Sequence, residues 1–448
     1  MTNDYLTQKP PMRALTVFVL PIIIGNLFQQ FYTMVDSAIV GRFVSQEALA
    51  AIGACYALTN VFIWVAVGGG IGASVVVSRY FGAKDYGRMK RAACTALFSF
   101  LAVSIVLGII GLAFGRPLMQ VLRTPEDVMG PAMTYLNIYF LGLPFLFMYN
   151  ALSSMFNALG KSRIPLFFLI FSSVFNCLLD LLLVLRFDMG VAGVAWATLI
   201  AQGLSALLSG LVFLRVIKSL DPGRSGLFSV SEMTAMVRIA LPSIMQQSTV
   251  SIGLLLVQSV VNSFGSEVLA GFSACMRLEA IAVVPMSGIS TAVSAYTAQN
   301  IGAGKLTRVP EGYKAANLMV VFFGLLLFLV MEGFCDGLIR IFLGDEGTQL
   351  ALATGHAYLR YMGLFFCLIG FKMASDGVLR GAGDMKMFTV ANLANLTLRV
   401  VLAMLMAPRF GVAWVWIPVP MGWFLNWLIS YGEYRTGKWR RIYTANGK

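Results

Sequence analysis

Four polar side chains interrupt the apolar run that follows Pro21: Asn26, Gln29, Thr33 and Asp36. At about 100° per residue they fall within an arc of roughly 80° on a helix, a polar stripe ending in a carboxylate. Asn176 and Asp180 stand four apart in another apolar run, and Thr198, Gln202 and Ser205 share a face of the next. An ionisable side chain in a hydrocarbon core costs at least about 2.5–3.5 kcal/mol, so each needs a reason. Desolvation favours a neutral carboxyl group and hydrogen bonds from Asn or Thr favour the charged one, so a balanced carboxyl binds and releases protons near neutral pH. The chemistry expected of Asp36 and Asp180 is therefore ion exchange rather than bond making. The alternative for Asp36 is a solvated helix end in the outer headgroup layer. Gln29, Phe28, Tyr32, Thr33, Met34 and Gln202 are candidates for lining a solute cavity beside these groups.

The second half of the chain carries a different set: Arg277, Glu279, Lys372, Asp376 and Arg399. Lys372 and Asp376 are four apart and can pair on one helix face. The group reads either as a neutralised ion-pair cluster or, more sharply, with Glu279 as a cation-recognising or second coupling carboxylate.

The elements that must hold these residues are membrane helices. Apolar residues make up 58% of 448 and charged ones 12%, about half the charged share of a soluble domain. A span needs about 20 predominantly apolar residues. Twelve stretches qualify, starting near Ala14, Ile52, Ala92, Met133, Ile164, Val191, Met236, Leu269, Ala315, Leu352, Met387 and Gly411. The first, with Lys9 and Arg13 before it and no small-residue cleavage site, reads as a retained span. Of the 33 Lys and Arg residues, 23 fall in the segments that are inner if the N-terminus is cytoplasmic, and six in the outer ones. That bias predicts both termini in the cytoplasm. The basic tail (Arg435, Lys438, Arg440, Arg441) reads as a headgroup anchor. Pro21, Pro144, Pro242 and Pro285 are expected to interrupt their spans.

The halves repeat. EALAAIGAC (Glu47 to Cys55) matches EVLAGFSAC (Glu267 to Cys275), and Gly193-Val194-Ala195-Trp196 recurs as Gly411-Val412-Ala413-Trp414. The shift stays near 220 residues throughout. Six spans per repeat keep both halves in one orientation, so they are expected to be related by a pseudo-twofold axis along the membrane normal with a solute cavity between them. The expected division is an N-terminal six-helix lobe over 1–218, a cytoplasmic linker over 219–235 containing the Asp221-Pro222-Gly223 turn, and a C-terminal lobe with its tail over 236–448. That architecture implies a transporter.

Other motifs carry no chemistry. GGGIGA (Gly68 to Ala73) lies inside a span with no preceding strand and reads as close helix packing. Gly160-Lys161-Ser162 lacks the first glycine of a phosphate loop, Met155 standing in its place. Six cysteines in apolar stretches read as buried free thiols, and the single histidine, His356, excludes a histidine-cluster metal centre. The expectation is no enzyme, no cofactor, no metal and no nucleic-acid partner, the net charge of +13 being explained by the inner connectors.

The chain resembles the multidrug and toxic compound extrusion (MATE) family of the MOP superfamily over nearly its whole length. The resemblance rests on Pro21 to Gly41 with Asp36, on Gly82-Ala83-Lys84, on the Asn176/Asp180 pair, and most specifically on Leu379-Arg380-Gly381-Ala382-Gly383-Asp384. It implies an all-α integral membrane protein with 12 transmembrane helices in two six-helix bundles, V-shaped, monomeric, multi-pass in the cell (inner or plasma) membrane. The implied activity is proton-coupled multidrug efflux: antiport of cationic or amphipathic drugs and other xenobiotics against H+, with Na+ as the other coupling ion. In the DNA-damage-inducible prokaryotic branch the residues matching Asp36, Asn176, Asp180 and Thr198 form the proton site, and a proline like Pro21 is a helix hinge. The acidic residues of the sodium-coupled branch are replaced here by Val250 and Ile369. A flippase of lipids or lipid-linked sugars with the same two lobes is the alternative, since Arg277, Lys372 and Arg399 offer cationic groups. Membrane lipids and small organic cations are the partners expected.

Overall fold

The computed structural model describes residues 4–220, 223, 226–344 and 347–440, with Gln46 described by its backbone alone. No strand occurs among them. The helices in chain order are α1 (Tyr5–Gln8), α2 (Pro11–Phe43), α3 (Gln46–Gly82), α4 (Tyr86–Val121), α5 (Glu126–Ala158), α6 (Arg163–Leu181) and α7 (Gly190–Lys218). The second half adds α8 (Val230–Asn262), α9 (Ser266–Ala282), α10 (Val284–Gly302), α11 (Arg308–Gly333), α12 (Cys335–Leu343), α13 (Gln349–Gly363), α14 (Phe366–Ala382), α15 (Met385–Phe410) and α16 (Pro418–Thr436). Eleven stretches are long and apolar enough to cross a bilayer, and α13 with α14, bent by 52°, makes a twelfth. Each expected span thus has a helical counterpart. Several begin earlier than their apolar run, because hydropathy marks the lipid-facing length while capping groups set the true start. The Ser45 Oγ accepts the Ala48 N–H at 3.0 Å, and the Asp85 carboxylate accepts the Arg88 N–H at 2.9 Å.

The prolines behave differently from expectation. Pro21, Pro144 and Pro242 sit inside unbroken α2, α5 and α8. Only Pro285 adjoins a break, between α9 and α10. A proline removes one main-chain hydrogen bond and crowds the preceding turn, which bends a helix without ending it when packing holds both sides. The sharp bend of the tenth span, at Leu364 and Phe365, involves no proline.

Two compact units form, one of residues 24–244 and one of residues up to Ile23 together with Met245 onward. The division therefore falls inside α2 and α8, just beyond Pro21 and Pro242, and not in the 219–235 linker. Glycines at repeat-related positions account for this. A Cβ on Gly288 of α10 would meet Ile23 Cγ1 at 2.9 Å, and one on Gly68 of α3 would meet the Ile244 backbone nitrogen at 2.9 Å. Gly72, in the same GGGIGA run, would come within 2.9 Å of the Ala240 nitrogen, so this motif is a packing surface that seats the start of α8. Asp221, Pro222 and Arg441 lie outside the described residues.

Inside each unit the repeat extends to single contacts. Cys55 Sγ faces the Ala132 carbonyl at 3.6 Å, and its counterpart Cys275 faces the Gly355 carbonyl at 3.4 Å. All six cysteines are free thiols, with Cys55, Cys275 and Cys335 buried and Cys94, Cys177 and Cys367 only half-buried.

Candidate functional site

Asp36 on α2, Asn176 and Asp180 on α6 and Thr198 on α7 converge within the unit of residues 24–244. Asp180 is fully buried and Asn176 nearly so, while Asp36 is half-buried with its Oδ1 closed off. The two carboxyl groups face each other within hydrogen-bonding reach. Asp36 Oδ1 and Asp180 Oδ1 are nonetheless enclosed without a donor among the described residues. Two like charges at that range in a low-dielectric interior repel strongly, so a proton or a small cation between them is the arrangement that electrostatics favours.

The Tyr32 hydroxyl and the Asn176 amide hydrogen-bond directly and join α2 to α6. The amide orientation that satisfies both its ends turns Nδ2 toward Asp180 Oδ2 at 3.1 Å and Oδ1 toward the Thr198 N–H at 3.0 Å. Asn176 is then the central connector, touching a residue of each of the three helices. Immediately after Asp180, α6 widens into a π-helical turn over Leu182–Arg186, a local irregularity often found at functional sites.

The face of α2 that meets α6 is rotated from the expected polar stripe. Gly25, Tyr32 and Asp36 point toward α6, a Cβ at Gly25 meeting Leu166 and Leu169 side chains at 3.5 and 3.6 Å. Thr33, Gln29 and Met34 are exposed, Phe28 is half-buried, and Thr33 Oγ1 donates to the Gln29 carbonyl at 2.9 Å. None of these four joins the carboxyl pair. Tyr32, expected in a cavity wall, instead belongs to the pair's own hydrogen-bond network.

Two residues missed in the sequence complete the surroundings. Tyr135 of α5 stands close to both carboxyl groups, and its ring stacks on Tyr139 at 6.3 Å. The Tyr139 hydroxyl donates to the Thr59 carbonyl at 3.2 Å. With Thr198 and Gln202 these tyrosines line a narrow crevice. Their spacing of four in an apolar run was the available signal, but the same spacing describes ordinary packing aromatics.

The charged set in the second unit separates into two groups. Lys372 Nζ pairs with Asp376 Oδ2 at 2.9 Å, both side chains less than a tenth exposed. Asn392 bridges them, accepting from Lys372 at 3.0 Å and donating to Asp376 at 3.4 Å, while Ser430 donates to the other Asp376 oxygen at 2.8 Å. Glu279 accepts from the Tyr358 hydroxyl and has Arg399 nearby. Arg277 is exposed and joins neither group. The expected single cluster is thus a satisfied ion pair and a separate Glu279–Tyr358–Arg399 group.

The MatE family model matches residues 21–182 and 242–405 of this chain, once in each half. A probable multidrug resistance protein, YpnP of Bacillus subtilis, is 29% identical over 97% of both chains. The multidrug export protein MepA of Staphylococcus haemolyticus is 23% identical over 92% of this chain and 90% of its own. Among solved structures, an outward-facing multidrug resistance MATE transporter of the MOP superfamily aligns with a TM-score of 0.89 at 21% identity, covering 98% of this chain and 99% of that one. A MOP superfamily transporter from Pyrococcus furiosus aligns with a TM-score of 0.90 at 21% identity over 100% and 99% of the two chains.

Proposed function

This chain belongs to the MatE family of multi-span cell-membrane transporters, and on that premise we propose that it exports organic cations and amphipathic drugs in exchange for protons carried by Asp36 and Asp180. It is a transporter and not an enzyme. The observation that supports the coupling role is the facing carboxyl pair, each member with an enclosed oxygen lacking a donor. One proton between the two oxygens removes the like-charge repulsion. Its loss leaves a buried negative site that attracts a cation. Proton and drug then favour opposite states of one equilibrium, which is the requirement for exchange.

Tyr32 and Asn176 transmit the change in this scheme. Their hydrogen bond ties the Asp36 segment of α2 to α6, and Pro21 supplies the hinge from which that segment bends. Tyr32→Phe removes the tie while leaving both carboxyl groups in place. A net hydrogen bond is worth about 1 kcal/mol, so this variant is expected to export dye about fivefold more slowly at unchanged expression. An unchanged rate in Tyr32→Phe rules out the hydroxyl as part of the coupling.

Sodium is the competing coupling ion, since Asp36, Asp180, Asn176 and Thr198 also supply oxygen donors. Uptake of a fluorescent cationic dye into everted vesicles, with pH and Na+ gradients imposed separately, distinguishes the two. Proton coupling predicts dye movement under the pH gradient alone, with no response to Na+. The flippase alternative needs free cationic side chains for a phosphorylated cargo. Lys372 is neutralised by Asp376 and Arg399 stands beside Glu279, which favours drug export.

A further inference from the structure

The second unit contains a cavity of about 460 Å³ lined by the start of α11, the end of α16 and Phe371 of α14. That volume lies within the range of small-molecule sites, roughly 300–1,000 Å³. Tyr313, Trp427 and Tyr431 form its wall, Lys314 and Arg435 stand at its mouth, and Asn317 contributes the remaining polar group. The aromatic wall is continuous: Trp427 stacks on Tyr431 at 5.3 Å, and Tyr434 lies 4.7 Å from Tyr313. Tyr313 is held in place by a 2.7 Å hydrogen bond to Ser375.

Charge defines the ligand. Lys314 and Arg435 are both exposed, and neither has an ion-pair partner within 4 Å among the described residues, although Glu311 lies one turn from Lys314. Glu433, the acid beside Arg435 in sequence, is engaged by Lys438 at 3.6 Å. Asn317 Oδ1 is enclosed and has no hydrogen-bond donor among the described residues. Two uncompensated positive charges repel the cationic drugs proposed as cargo. They suit a phosphate, with the guanidinium binding as a fork and the ammonium as a point charge. The positive-inside bias puts the α10–α11 connector and the end of α16 at the inner leaflet. There, an aromatic wall with basic groups at its mouth matches a lipid whose glycerol and upper chains lie against the rings.

We propose that this cavity holds the phosphate-bearing headgroup of an anionic phospholipid from the inner leaflet. Occupancy then ties α11 to α16 and makes the stability of the protein depend on the charge of the surrounding lipid.

The test is titration of the detergent-purified protein with phosphatidylglycerol or phosphatidylcholine, bound lipid being counted by native mass spectrometry. Wild type is expected to retain phosphatidylglycerol in preference to phosphatidylcholine. Each basic residue at an anionic surface contributes about a fivefold factor, so Lys314→Gln/Arg435→Gln should lower the apparent affinity for phosphatidylglycerol by about 30-fold. Lys314→Arg/Arg435→Lys should keep most of it. Both changes are at exposed positions, and an unaltered melting temperature in phosphatidylcholine confirms an intact fold. Equal retention of the two lipids by wild type, or an unchanged preference in the double Gln variant, overturns the proposal. Displacement of phosphatidylglycerol by millimolar inorganic phosphate also overturns it, because the ligand would then be free phosphate and not a lipid.

Discussion

Asp36→Asn is expected to abolish uphill export. A one-for-one exchange of a proton for a monovalent cation moves no net charge, so its steady state follows the pH difference alone, about tenfold in dye per pH unit. With Asn at position 36 Asp180 has no facing carboxyl group with which to share a proton, and the dye ratio should fall to about one under the same gradient. Equal expression and an unchanged melting temperature in detergent separate this from misfolding. A variant that still builds the wild-type dye ratio removes Asp36 from the coupling. Asp180→Asn should behave the same way, because either substitution leaves a single carboxyl group where the structure has a facing pair.

Asp376→Ala is expected to have the largest effect on stability. It strips the buried Lys372 ammonium of its carboxylate and leaves Asn392 as its hydrogen-bond acceptor. Breaking a buried ion pair from one side costs about 3–5 kcal/mol, whereas replacing both members with apolar residues of similar size is often neutral or stabilising. Thermal unfolding in detergent should therefore show a strongly lowered midpoint for Asp376→Ala, and recovery toward wild type for Lys372→Met/Asp376→Leu. Dye export by the double variant gives the second readout. Retained export fits a structural pair, and lost export in a stable protein assigns Lys372 and Asp376 to the transport cycle.

The membrane spans were legible because their cause is written in hydropathy. A span must hide its main chain and face lipid with apolar side chains, and the start of each run announces it. The 220-residue repeat was equally visible, and it reappears as the paired contacts of Cys55 and Cys275. Unit boundaries were not legible. They depend on Gly68, Gly72 and Gly288 admitting α8 and α2 backbones, and a glycine in a sequence does not say which neighbour approaches it. The short α12 and the bend between α13 and α14 were missed for a related reason, since neither changes the apolar count of its segment.

At the candidate site, residue types were informative and directions were not. Asp36, Asn176, Asp180 and Thr198 were identifiable as polar groups too costly to leave idle in lipid. The angular reading of α2, however, weighted polar side chains alone and centred the stripe on Gln29 and Thr33. The face that meets α6 carries Gly25, beside Leu166 and Leu169, and Tyr32, which the network includes. Tyr135 comes from a helix whose acidic residues lie in its first turn, and only the packing of α5 brings it to the carboxyl groups. In the second half, sequence spacing links Lys372 with Asp376 but does not show that Arg277 is exposed and outside both groups.

The most direct test of the coupling claim is proton release on drug binding. Purified protein in weakly buffered detergent solution, titrated with a non-titrating organic cation, should release about one proton per cation bound, read with a pH indicator dye, since the two ligands exclude one another. Asp36→Asn and Asp180→Asn should release none. Cation binding by wild type with no proton appearing in solution, or equal release from both variants, contradicts the account.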